Sequence, residues 1–362
     1  MSEPPAPTIP RSAVVTAICL IVGGLAVIFD STIVSIALKT LATDLAVSVG
    51  TIQWVSTAYL LALGVTIPVV GWAQARVGGK RLWMIALGIF LAASIACSLA
   101  WDAPSQIAFR VVQGAGGGLM MPLMATLAIQ QVPRAASLGR LMAMVSLPAA
   151  LGPILGPTIG GVILNWLDWR WMFWVNVPFC LVGLLLAWRF VPHDEPTGRR
   201  RLDVVGLLLA SPGIVGVLYG MSRVSAEGGF ARVDVWLPAV GGLLLLAAFA
   251  WWASRRPATA LIDVGLLARR PVAASSAVLF LSGAALYGAM LLLPLFFQIL
   301  HGVDVLTAGL LMVPQGVGAL LSRTLAGRLT DALGARVVAI GGSWASRRSP
   351  SPSPTHPRAC GG

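Results

Sequence analysis

Long apolar runs, separated by short polar stretches, set the pattern of this chain. A helix that crosses a bilayer needs about 17–25 mostly apolar residues. Ten runs fit: Ala13–Leu38, Thr51–Gln74, Leu82–Leu99, Gln106–Gln130, Gly139–Leu164, Trp171–Phe190, Val204–Met221, Val235–Trp252, Val272–Phe297 and Leu306–Leu325. The breaks between them hold charge, proline or other polar residues, as connecting loops do. The pattern predicts an all-α, polytopic membrane bundle of about ten spanning helices.

Within the fifth run, Gly152, Gly156 and Gly160 recur every four residues, with Gly161 beside the last. That spacing puts the three on one helix face, where a second backbone can approach closely. Pro153 and Pro157 form the adjacent column. Two such prolines break a helix in water, but a membrane bundle tolerates them where neighbours re-satisfy the freed carbonyls. This helix is built to pack tightly and bend. It reads as a gating element or, more plainly, as packing alone.

Composition sharpens the class. The chain is 57% hydrophobic and 10% charged, against roughly 25% charged in ordinary soluble domains. A net charge of +12 suggests nucleic acid in a soluble protein. Here Lys and Arg sit in loops between apolar runs, which removes that partner. Met1–Pro10 is polar and Pro-rich, and the first run exceeds the roughly 7–15 residues of a signal core. It is therefore read as an uncleaved span.

The loops also give an orientation, because Lys and Arg favour the cytoplasmic side. With the N-terminus inside, 17 Lys and Arg fall in inner segments and 4 (Lys39, Arg170, Arg223, Arg232) in outer loops. The expectation is a multi-pass protein of the inner (plasma) membrane with a cytoplasmic N-terminus. Two inner loops echo each other: Gly71, Gly78 and Lys80 recur in spacing as Gly327, Gly334 and Arg336. Repeated halves are a mark of secondary transporters.

Two ionisable residues lie well inside runs, Asp30 and Arg110. Each costs about 2.5–3.5 kcal/mol at the bilayer centre on insertion scales, so each needs a partner or water. Counted from the span ends, both fall in the outer half at comparable depth. They are expected to face a central cavity and to pair directly or through water. Burial favours the neutral form of a carboxyl, and a nearby guanidinium favours the ionised form. Such a pair suits a proton switch, or a static clamp between two helices. Gln113 lies three residues from Arg110 and shares its face. Trp54, Tyr59, Met120 and Met124 are candidate lining for an amphipathic cation, although ordinary bundle packing or interfacial anchoring is the better reading for most such residues. The cysteines (Cys19, Cys97, Cys180, Cys360) and histidines (His193, His301, His356) show no metal-ligand spacing and no nucleophile–base set. Neither an enzyme, nor a metal, nor a cofactor is expected.

Several segments together resemble the major facilitator superfamily, and most of all its fourteen-span drug:proton antiporter branch (EmrB/QacA type). They are Phe29–Leu38 with Asp30; Gln53, Trp54, Tyr59 and Pro68; Gly71–Arg81; Arg110, Gln113, Gly114 and Gly116; Gly152–Gly161; and Trp169–Pro178. The chain departs from the branch at Ser35, Lys39 and Ala75. The resemblance implies a proton-coupled exporter of drugs or other small amphipathic molecules, working by alternating access and powered by the proton gradient. Its partners are then the lipid bilayer, protons and a small-molecule substrate; whether it works with a periplasmic adaptor is left open. Asp30 and Arg110 become the proton-coupling pair. Gly71, Arg76, Gly78, Lys80 and Arg81 become a cytoplasmic latch. Gly152, Pro153, Gly156, Pro157, Gly160 and Gly161 become the antiporter motif. An exporter of a native metabolite or antibiotic, or a truncated, non-transporting membrane fragment, are the alternatives.

The implied organisation is a cytoplasmic segment (1–12), a six-helix bundle (13–190), a central loop with two extra helices (191–270) and a partial C-terminal bundle (271–342). The last stretch, 343–362, is rich in Ser, Pro and Arg and reads as disordered. It has the look of a frameshift or early stop, since the branch continues with four more helices.

Overall fold

A computed structural model describes residues 10–131, 138–145, 147–196, 198, 202–223, 233–256 and 260–300, with isolated positions between 302 and 329. The tenth expected span lies outside the described residues save for such positions, as does the second loop copy. The first nine residues and the tail 343–362 lie wholly outside them.

The described residues form helices and no strand. Helix α1 (Arg11–Asp44) carries the first expected span. Helix α2 (Val49–Thr66) starts where the Ser48 hydroxyl accepts from Thr51 N–H at 3.1 Å, an N-cap that satisfies an orphan donor. Pro68 has no N–H to reach back one turn, and the chain tightens to a 3-10 turn at Ile67–Val69. It resumes as α3 (Val70–Val77) and stops at Gly78, whose φ of +88° suits a residue without Cβ. Helices α4 (Gly79–Ser98) and α5 (Ala103–Gln130) follow. Asp102 and Ser105 close a reciprocal capping box at the start of α5. The Ser105 hydroxyl and N–H bonds hold the Asp102 carboxyl below its usual range.

Helices α6 (Leu138–Val145) and α7 (Leu147–Trp166) occupy the fifth expected span. Helices α8 (Trp171–Trp174) and α9 (Asn176–Phe190) occupy the sixth. Then come α10 (Val204–Ser222), α11 (Val233–Arg255) and α12 (Arg270–Leu300). Among the described residues, seven segments are long and apolar enough to cross a membrane. Helices α7 and α12, 20 and 31 residues long, stand at the fifth and ninth expected positions.

Two apolar cores stack along the first nine helices. One gathers Leu20, Val27, Tyr59, Trp83, Phe90 and Met120. The other gathers Phe29, Ile33, Val55, Cys97, Met172 and Phe173. Val27 belongs to the first and Phe29 to the second, so Asp30 sits on α1 close to where they meet. Small residues bring the helices together. A Cβ on Gly118 would lie 2.5 Å from the Leu63 carbonyl oxygen of α2, and one on Gly116 would lie 2.9 Å from the Ala86 carbonyl oxygen of α4. Helices α10 and α11 pair in the same way, at Gly216 and Gly242. They dock on α2, where Tyr219 and Trp54 stand 5.5 Å apart. On α12, Val278, Leu279, Phe280 and Leu281 are 59–76% exposed, as a lipid-facing helix permits.

Candidate functional site

Asp30 is the hub of a polar cluster closed on every side by the bundle. Arg110 reaches it from α5, with Nη1 donating to Oδ2 at 2.5 Å. Gln113, one turn further along α5, donates through Nε2 to Oδ1 at 3.0 Å. Asn176, in the first turn of α9, donates through Nδ2 to the same oxygen at 3.0 Å. Neither Asp30, Arg110, Gln113 nor Asn176 is exposed at all. A buried carboxylate persists only if its lone pairs find donors, and three donors meet this one.

Arg110 is held as firmly as it holds. Its Nε donates to the Val55 carbonyl of α2 at 3.1 Å. That carbonyl is already an acceptor within a helix, so it takes a second donor, as its two lone pairs allow. Nη1 also meets Gln113 Oε1 at 2.7 Å. The guanidinium stacks over the Tyr59 ring, 4.0 Å from its centroid, a cation–π contact that gains strength out of water. Gln113 Nε2 donates in turn to Ser94 Oγ of α4 at 2.7 Å, and the Cys97 thiol lies 3.6 Å from Gln113 Oε1. Helices α1, α2, α4, α5 and α9 therefore meet at one carboxylate.

The glycines of α5 make this possible. Gly114 stands against the Tyr59 carbonyl, where a Cβ finds no room, and a Cβ on Gly117 would be 3.3 Å from the Tyr59 hydroxyl. Helix α2 thus comes close enough for both its carbonyl and its ring to serve Arg110. Helix α7 lies along α1 beside the hub. Gly152 meets Ile28, Gly156 meets Thr32 and Gly160 meets Ile33. The three glycines share one face, and that face is covered by α1. Gly161 has open space around it, and Pro153 and Pro157 sit within the same helix.

Other expected residues land elsewhere. The Asp30–Arg110 pair is enclosed rather than turned to an open cavity. Met120 and Met124 are buried in the first apolar core, and Trp54 stacks on Tyr219. In this arrangement all three side chains contribute to helix packing. An open space of about 530 Å³ lies instead between α2 and α10, beside Val65, Thr66, Leu208 and Ser211.

The profile of the Major Facilitator Superfamily matches residues 20–345. The chain belongs to the major facilitator superfamily. The chain is 39% identical over 317 residues to a "Multidrug resistance protein B homolog" of Mycobacterium tuberculosis, covering 86% of this chain and 58% of the relative. It is 29% identical over 317 residues to a "Lincomycin resistance protein LmrB" of Listeria monocytogenes, covering 87% and 66%. It thus spans about three fifths to two thirds of the length of these relatives. In fold it is similar to the superfamily's proton:xylose symporter XylE in complex with 6-bromo-6-deoxy-D-glucose. That match has a TM-score of 0.60 at 17% identity and covers 89% of this chain and 70% of that one.

The segment Gly71–Arg81 runs from α3 into the start of α4, and it holds α4 against the end of α9. Asp194 accepts from the N–H groups of Gly79 and Lys80, at 2.6 and 3.0 Å, capping the positive end of α4. Lys80 Nζ donates to the Trp188 carbonyl in the last turn of α9 at 2.8 Å. Each helix end thus receives the charge that suits its dipole. Arg76 and Arg81 are exposed, and Gly71 has open space around it.

Sequence reasoning did not assign Asn176, Ser94 or Asp194 to a site. Asn176 lies within the Trp169–Pro178 segment, but a small neutral amide in a span does not by itself point to a partner. Ser94 and Asp194 gave no signal either.

Proposed function

We propose that this facilitator exports small amphipathic molecules in exchange for protons, and that Asp30 carries the proton. The observation that carries the reading is the buried Asp30 carboxylate, met by Arg110, Gln113 and Asn176. A fixed clamp needs only a pair; here one acid is bonded to α5 and α9 directly, and to α2 and α4 through the residues it holds, so its protonation bears on all four. In one state the carboxylate binds the guanidinium. Once it is protonated, the charge attraction is lost and the bundle is free to shift toward its other opening, as population shift between two arrangements requires. The printed names of the two resistance relatives support a drug-like substrate. The Lys and Arg asymmetry supports a cytoplasmic N-terminus in the inner membrane, and the outer-half depth of Asp30 supports proton entry from outside.

The test uses inverted membrane vesicles and ethidium, a fluorescent amphipathic cation. Vesicles holding the full chain are expected to accumulate ethidium when a proton gradient is imposed and to stop when an uncoupler is added. Asp30→Asn is expected to insert normally and accumulate none. Gradient-driven accumulation by Asp30→Asn at the parent rate overturns the coupling role. Equal accumulation by vesicles with and without the chain overturns export of this cation class.

A further inference from the structure

Asn176 Oδ1 is fully buried and has no hydrogen-bond partner among the described residues. An orphaned acceptor beside an ionised acid is costly, and it asks for a donor that the ionised state does not supply. We infer that Asn176 is the positioning residue that reads the protonation state of Asp30: its amide donates to the carboxylate and turns to accept from the carboxylic acid. The inference rests on Asp30 exchanging a proton.

The chemistry is a matter of lone pairs and hydrogens. An ionised carboxylate only accepts, and Oδ1 takes N–H donors from both Gln113 and Asn176, each at 3.0 Å. When a proton from water adds to Oδ1, that oxygen gains an O–H that must donate. One of the two amides facing it then has to present oxygen instead of nitrogen. Gln113 is locked at both ends. Its Oε1 accepts from Arg110 at 2.7 Å and its Nε2 donates to Ser94 at 2.7 Å. Turning it breaks both bonds. Among the described residues Asn176 has nothing bound to Oδ1, and its second contact, Nδ2 to Ser94 Oγ, is 3.4 Å long. Its half-turn brings the orphaned oxygen to the new O–H and leaves Nδ2 free. Asn176 stands at the start of α9, two residues before Pro178, which has no N–H to bond back to the Trp174 carbonyl.

The titratable groups that face Asp30 are Arg110 and Tyr59, with Cys97 and Cys180 beyond them. Helix α7 carries none. Asn176 is thus the neighbour able to change its donor pattern without itself gaining or losing charge.

The experiment is infrared difference spectroscopy on the purified full chain, acid minus neutral pH. A protonated-carboxyl band that vanishes in Asp30→Asn identifies the Asp30 acid. In Asn176→Ala this band is expected to move to higher wavenumber, because a carboxyl that loses its acceptor has a stiffer C=O. Asn176→Ser, whose hydroxyl can accept, is expected to bring it part of the way back. An Asp30 band at the same place in Asn176→Ala overturns the inference. Absence of any Asp30 band in the parent overturns the proton reading beneath it. A second measurement needs no variant to fold. The chain has two asparagines, Asn165 and Asn176, so side-chain nitrogen-15 labelling resolves them by NMR. One of the two amide signals is expected to shift in step with the Asp30 band, and two signals unmoved by acid overturn the inference.

Discussion

A charge inside a membrane is tolerated where its neighbours replace water, and Asp30 and Arg110 show how completely that is done here. Arg is needed because a guanidinium offers several donors in one plane along with a face that stacks. It reaches Asp30, Gln113 and the Val55 carbonyl while lying over Tyr59. A lysine ammonium serves one or two of these and stacks less well. Arg110→Gln leaves the carboxylate buried without its counter-charge and is expected to destabilise by about 3–5 kcal/mol, read as a lower thermal midpoint in detergent. Adding Asp30→Asn to that variant removes the uncompensated charge and is expected to recover a large part of the loss; a double variant no more stable than Arg110→Gln contradicts the coupling. Both members of the pair were legible in the sequence, because an ionisable residue within an apolar run is rare and expensive. Asn176 and Ser94 were not assigned, because small neutral polar residues within spans are ordinary. That these two meet Asp30 depends on how α4 and α9 are rotated, and periodicity does not fix that rotation.

At the scale of helices, glycine sets the distances. Helix α5 uses two faces, Gly114 and Gly118 toward α2, and Gly116 toward α4. Gly118→Val is expected to push α2 away, lower the thermal midpoint and loosen the Val55–Arg110 bond. Gly88→Val, where a Cβ meets nothing within 4 Å, is the matched control and is expected to cost little. Equal loss in the two variants contradicts the close-packing account. The repeat at Gly152, Gly156 and Gly160 was legible as a shared face, and α1 is the helix that covers it. The clasp between α4 and α9 was not legible. Asp194 and Gly79 are 115 residues apart, and the acid that the superfamily's loop usually carries is Ala75 here. A charge opposite a helix start was available in the sequence, but nothing along the chain tied it to that start.

At the scale of the molecule, α2, α4, α5 and α9 close around the acid on α1, and the α10–α11 pair rests on α2 through Tyr219 and Trp54. The nine apolar runs that fall on described helices were legible because spanning length and hydrophobicity are properties of the chain itself. How the extra pair docks was not, because an aromatic such as Trp54 names no packing partner until its neighbour Tyr219 is seen. Orientation is open to direct measurement. Cys19, Cys97 and Cys180 are buried, so, with Cys360 replaced by Ser, an impermeant maleimide reports on introduced cysteines. Arg81→Cys is expected to label only after the inner face is opened to the reagent, and Asp168→Cys from outside in intact cells. The reverse pattern contradicts a cytoplasmic N-terminus.

The central claim is that Asp30 exchanges a proton as the transporter works, and substrate-induced proton release tests it most directly. Purified protein in weakly buffered detergent, with a pH indicator, is mixed with ethidium. The account predicts release of up to about one proton per protein, the single acid changing population as substrate is bound, and none from Asp30→Asn. Release of the same size from Asp30→Asn contradicts it.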